Sequence, residues 1–150
     1  MRSFAAGVQE QFGTDLERLA LGVALESWWA PFAAGGWGRW SYDLVRAKQG
    51  VILVELRESA VAAAAGPAAR PVCHLYAGLY AVCFSALSKR KLAAVELQCA
   101  AAGADACKFL VSTRKRVAAV TAWRDEGATA AEVVQRLSRG LGAGRAGGAP

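Results

Sequence analysis

The sequence predicts an α+β fold, a four-stranded antiparallel sheet packed with helices on one side. Three observations carry that prediction. The chain opens with apolar residues at helical spacing. Two stretches of alternating side chains follow around a glycine turn, and a long apolar helix then leads into a second pair of strand-like stretches.

Residues 3–32 read as helical, with Phe4, Val8, Phe12, Leu16, Leu19, Val23 and Leu25 at apolar positions. Gly13-Thr14 interrupts the segment, with Thr14 as N-cap and Glu17 as its capping-box partner. Pro31 and Gly35-Gly36 are expected to end it. Trp28, Trp29 and Phe32 cluster near its close, either as core or as the wall of a ligand pocket.

Strands are expected at 36–46 and 51–58, joined by a turn at Lys48-Gln49-Gly50. In the first, Gly38, Trp40, Tyr42, Leu44 and Arg46 form the better core face. In the second, Val51-Ile52-Leu53-Val54 is apolar on both faces, so that strand should be central or covered by a helix. Ser59 opens an alanine-rich helical turn that becomes a loop at Gly66-Pro67.

A helix then runs from Cys73 to about Leu87, followed by the basic turn Ser88-Lys89-Arg90-Lys91. The third strand is expected at 92–98, a reversal at 101–105 and the fourth strand at 106–111. Thr113 to Arg124 reads as a helix with Val117, Val120 and Trp123 as its docking face. Gly127 interrupts it. Thr129 and Glu132 then form a capping-box pattern before a short helix through Val133, Val134 and Leu137. The glycine-rich stretch 140–150 is expected to be disordered. The organisation that follows is a domain over 1–112, C-terminal helices over 113–139 packed on or extending it, and the tail.

The helix–hairpin unit carries the chemistry. Cys73, Glu96, Cys99 and Cys107 form the pattern C-x(22)-E-x(2)-C-x(7)-C. Three thiols and a carboxylate suit a tetrahedral site for a soft-to-borderline metal, zinc first. A helix out and a strand back of similar span return Glu96 and Cys99 towards Cys73, and the reversal sets Cys107 beside Cys99. Residues three apart on a regular strand face opposite ways, so the strand must bulge or end between Glu96 and Cys99. Cys83, ten residues into the helix, reads as a small core residue. His74, the single histidine, points away from its neighbour and belongs beside the site or at the surface.

Composition bounds the function. At 55% hydrophobic, much of it alanine, 150 residues suit a globular domain with a real core. No apolar run reaches membrane-spanning length. With no leader-like N-terminus, a cytoplasmic protein with metal-bound or reduced cysteines is expected. One histidine leaves no Ser-His-Asp or Cys-His set to assemble beyond His74 itself, and no phosphate loop or dinucleotide fingerprint is present. An enzyme is not expected. The +6 charge admits an acidic partner, and no specific nucleic-acid binding is expected. If the last two strands pair, Lys89, Arg90, Lys91, Arg114, Lys115 and Arg116 meet opposite the metal end. They form either a solvated cluster or a docking surface for an acidic protein, phosphate or anionic lipid.

Cys73-His74, the Gly78 helix, Glu96-x-x-Cys99 and Gly103-x-x-x-Cys107-x-Phe109 together resemble the 4-vinyl-reductase domain family. That family includes aromatic-sensing domains of bacterial transcription activators and a small protein of bacteriochlorophyll synthesis, and it is related in fold to trafficking-complex (TRAPP) subunits. The resemblance covers roughly 7–112, more loosely in the N-terminal half through Gly36-Trp37-Gly38-x-Trp40 and Glu58-Ser59. It implies structural zinc on Cys73, Glu96, Cys99 and Cys107, and a homodimer. It further implies a sensor or carrier domain for a hydrophobic or aromatic ligand, with Trp28, Trp29, Phe32, Trp37, Trp40, Tyr76 and Tyr80 as candidate pocket residues. The sensors' phenol-binding histidine has no counterpart in the N-terminal half, and their ATPase and DNA-binding modules are absent. Two alternatives stand beside this expectation: a dimeric scaffold or adaptor with a self-filled pocket, and an accessory factor in tetrapyrrole synthesis.

Overall fold

The computed structural model describes residues 16–146. The chain divides at Trp37/Gly38 into two compact units, each described here by itself. No helix among the described residues is long and apolar enough to cross a membrane.

The first unit contains helix α1 (Leu16–Ala34). Its expected start, including the Thr14 cap, lies outside the described residues. Pro31 does not end it: the helix continues through Pro31, whose carbonyl accepts from Gly35 N–H at 3.0 Å. Proline's φ is compatible with a helix, and only the bond its missing N–H would have made is lost. The true end is a glycine closure. Gly36 is left-handed at φ +75°, Gly36 N–H reaches Ala33 O, and Trp37 N–H reaches Phe32 O. Phe32 and Trp37 meet edge-on with centroids 6.1 Å apart, the apolar contact that accompanies such a cap.

The second unit is built on a four-stranded antiparallel sheet in the order β1-β2-β4-β3. Strand β1 (Arg39–Asp43) is shorter than expected, because the Asp43 carboxylate accepts from Val45 N–H at 2.9 Å and starts the turn early. A short 3₁₀ turn (Ala47–Gln49) and left-handed Gly50 lead into β2 (Val51–Arg57). Tyr42 pairs with Val54 and Trp40 with Leu56, so the expected hairpin and core face of β1 are both present.

Ser59 caps the short helix α2 (Ala60–Ala65) by accepting from Ala62 N–H. Helix α3 (His74–Ser88), strand β3 (Ala93–Gln98) and strand β4 (Cys107–Ser112) follow, with β4 between β2 and β3. Helix α4 (Arg114–Asp125) starts at Thr113, whose side chain accepts from Arg116 N–H. Helix α5 (Ala130–Ala146) opens with the predicted capping box: Thr129 N–H donates to Glu132 Oε2 at 2.7 Å and Glu132 N–H to Thr129 Oγ1 at 3.3 Å.

Helices cover both faces of the sheet, not one. Val54 and Phe109 are paired neighbours on the α3 side, where Phe109 packs on Tyr80. On the other face Val51, Leu97 and Leu110 form a core with Val120 of α4 and Val133 and Leu137 of α5. The two-sided apolar pattern of β2 requires that second cover. The C-terminal helices are therefore part of the sheet unit, and no boundary falls at residue 112. Nor does the helix stop at Gly140. Leu141, one turn beyond Leu137, packs on the same core, and propagating a formed helix costs less than starting one. Residues 147–150 of the expected tail lie outside the described residues.

Candidate metal centre

Four local devices bring the donors together. Cys73 is the N-cap of α3, its carbonyl accepting from Tyr76 N–H and Ala77 N–H, which places its sulfur at the helix head. Glu96 pairs with Phe109 on β4 and so faces α3. The register then slips, Gln98 pairing with Lys108 instead of Cys107. The strand ends at Gln98, and Cys99 turns the chain into a 3₁₀ turn (Ala100–Ala102) closed by left-handed Gly103. Strand β3 thus both bulges and ends between Glu96 and Cys99, as the ligand spacing requires. Cys107 is the first residue of β4.

The donor atoms of Cys73, Glu96, Cys99 and Cys107 all lie within 4.8 Å of one another, and all four residues are buried. The sulfur separations are 3.7 Å (Cys73–Cys107), 3.9 Å (Cys73–Cys99) and 3.9 Å (Cys99–Cys107). A tetrahedron with metal–sulfur bonds of about 2.3 Å has edges of about 3.8 Å. The Glu96 carboxylate is 1% exposed. Its Oε2 accepts from Cys73 N–H at 2.9 Å, whereas Oε1 has no hydrogen-bond partner. A buried carboxylate oxygen left without a donor, beside three converging sulfurs, is what a cation would satisfy. The residues present fit a metal ion.

Burial pushes the Cys73 thiol well above its ordinary range, despite the contact from Ser59, and pushes Cys107 up to about 11. Without a cation, low polarity around the sulfurs favours the protonated thiols; a divalent ion in their midst reverses that preference. Two contacts suit thiolates. Ser59 Oγ lies 3.5 Å from Cys73 Sγ, and Ala100 N–H donates to Cys107 Sγ at 3.3 Å.

Sequence reasoning missed two supporting residues. Ser59 belongs to a recognisable cap, but its place beside Cys73 depends on a fold-level approach of α2 to α3. Arg124 donates from Nη1 to the Glu96 carbonyl at 3.0 Å, at the position where the ladder slips. It braces the distortion that lets Glu96 and Cys99 share one site, and no local signal in α4 announces that contact.

Comparison with known families falls on this same stretch. Residues 52–113 match the family model of the 4-vinyl-reductase domain. This segment, less than half of the chain, is a 4-vinyl-reductase-type domain, and it contains all four donors. Curated proteins and solved structures give no match.

The aromatic candidates are divided between the two units. Trp28, Trp29, Phe32 and Trp37 lie in the first, with Trp28 and Trp37 exposed and Trp29 against Phe32. Trp40, Tyr76 and Tyr80 lie in the second, the two tyrosines within the matched segment and Trp40 just before it. Trp40 Nε1–H donates to Tyr80 Oη at 2.7 Å, and Tyr76 and Tyr80 are fully buried with their rings nearly parallel. Cys83 is buried in α3, and burial pushes its thiol up to about 11. His74 is exposed and outside the donor set.

At the other end of the hairpin, Ala93 pairs with Ser112, which brings Lys89, Arg90 and Lys91 near Arg114, Lys115 and Arg116. These six do not share one recess. Arg114 faces a groove with His74 and Arg124, while Arg90, Lys115 and Arg116 line another.

Proposed function

We propose that this chain is a non-catalytic, zinc-stabilised domain that binds a small hydrophobic or aromatic molecule, as a sensor or carrier. One observation carries the reading: a closed set of three sulfurs and one carboxylate, all buried, inside the 4-vinyl-reductase-type segment. Thiolate-rich tetrahedral sites favour zinc. Four protein donors fill the coordination sphere, so the ion's work is to fasten the head of α3 to the β3–β4 hairpin and to add directly to folding free energy.

The family match supports the small-molecule part of the reading. A groove of about 550 Å³ between the sheet and α5 has the volume of a small-molecule site. Leu53, Leu97 and Val134 supply apolar wall, and Asp43, Glu55 and Lys108 a polar rim. Lys108 and Arg57 both approach the Glu55 carboxylate, at 3.7 and 2.7 Å, which holds that rim in place.

A second reading, a homodimeric scaffold with a self-filled pocket, draws on Tyr76 and Tyr80. Both are buried between α3 and the sheet, where their own rings and Phe109 occupy the space. Native mass spectrometry of protein purified without added metal, beside Cys99→Ser, separates the two. One zinc per chain with an additional small-molecule mass supports the sensor or carrier. A zinc-loaded dimer with no further mass supports the scaffold. A wild-type chain that carries no metal overturns the zinc-stabilised reading altogether.

A further inference from the structure

We propose that the sheet end remote from the metal centre is a binding groove for a phosphate-bearing anion, formed where Lys48, Arg90 and Lys115 converge around a braced Arg116. The inference stands on different residues from the metal centre and does not depend on it.

The topology makes the convergence. Ser112 pairs with both Ala93 and Val51, so three chain segments end around it. The turn before β2 brings Lys48, the loop before β3 brings Arg90, and the first turn of α4 brings Lys115 and Arg116. Together they line a groove of about 590 Å³ that has no Asp or Glu among its lining residues.

The frame of the groove is tied. Arg116 Nη1 donates to Gln49 O at 2.6 Å and reaches Gly50 O at 3.4 Å, while Ser112 Oγ donates to Gly50 O at 2.5 Å. Gly50 holds the left-handed conformation at φ +73° that presents this carbonyl. Arg116 is thus the brace. Arg90 and Lys115 are exposed and make no ion pair among the described residues. Folding gathers like charges here without neutralising them, and a polyvalent anion relieves that repulsion. Cations crowded into one small recess suit a compact phosphate group, which engages several donors at once. An extended acidic chain would call for charges spread along a face.

The test uses the full chain as purified. Binding of inorganic pyrophosphate is measured by calorimetry. Co-sedimentation is measured with phosphatidylcholine vesicles that contain or lack a phosphatidylinositol phosphate. Two triple variants accompany the wild type, Lys48→Glu/Arg90→Glu/Lys115→Glu and Lys48→Gln/Arg90→Gln/Lys115→Gln. Arg116 is left in place, and if the acidic variant fails to fold, the glutamine variant decides.

Saturable pyrophosphate binding, weakened at least about tenfold in the variants and by added salt, supports a soluble phosphate ligand. Capture only by the phosphoinositide vesicles, lost in the variants, supports a lipid headgroup. The proposal is overturned if wild type binds neither probe, or if both variants bind like wild type. It is also overturned if polyglutamate binds where neither phosphate probe does, which would assign the groove to an acidic protein.

Discussion

Replacing Glu96 with glutamine should change the sign of its effect on stability according to whether metal is present. The amide keeps the shape of the side chain and an oxygen for Cys73 N–H, which now donates to Oε2 at 2.9 Å. It removes the negative charge and an anionic donor. In the metal-loaded protein, a weakened ligand set should lower metal affinity by at least about a hundredfold, near 2.7 kcal/mol. In the stripped protein the balance reverses. A buried carboxylate with one unpartnered oxygen costs about 4 kcal/mol there, whereas an unpartnered amide nitrogen costs about 2 kcal/mol. The stripped variant should therefore be more stable than stripped wild type by about 2 kcal/mol, or roughly 8 °C in melting temperature for a unit of this size. Thermal unfolding with zinc and with a strong chelator reads both arms. A shift of the same sign in both would refute the assignment of Glu96 as a ligand.

Further substitutions test the supporting structure. Arg124→Met should cost about 1.5–3 kcal/mol by freeing the Glu96 carbonyl at the register slip, and should weaken metal binding as well; urea unfolding and metal competition measure the two, and wild-type values in both would dismiss the brace. Gly38→Ala should destabilise by more than about 2 kcal/mol, since its φ is +147° and a Cβ would lie 2.4 Å from Leu56 Cδ1. A neutral result in urea would show that the backbone relaxes there. Backbone and hydroxyl donors of Thr129 hold the Glu132 carboxyl below its ordinary value. Its contribution to stability is then present above the unfolded carboxylate pKa and lost as pH falls through the lower folded value. In an NMR titration Glu132 should titrate below the other exposed carboxylates, and Thr129→Val should restore it.

Much of this arrangement could be read from the chain because its signals are local. The capping residues Ser59, Thr113 and Thr129 sit immediately before their helices, and Gly50 and Gly103 mark reversals that need left-handed backbone. The four donors were readable through their spacing, which itself demanded the irregularity found between Glu96 and Gln98. Arg124 was hidden because its partner is a backbone carbonyl 28 residues away. The two-sided cover was present in Val51-Ile52-Leu53-Val54, but nothing local indicates which helices supply it. Tyr76 and Tyr80, one helical turn apart, read equally as core and as pocket wall, since a helix stripe cannot specify what fills the space beside it.

The spacing of the donors also bears on how the chain reaches this structure. Glu96, Cys99 and Cys107 lie within a single hairpin, whereas Cys73 is separated from them by the whole of α3. Closing a short loop is quick and costs little entropy, so the hairpin trio is available before the distant thiol arrives. An ion held by three donors retains one exchangeable position until α3 docks. The same metal that ends as an inert rivet would then begin as a seed, and its arrival would time the docking of the helix.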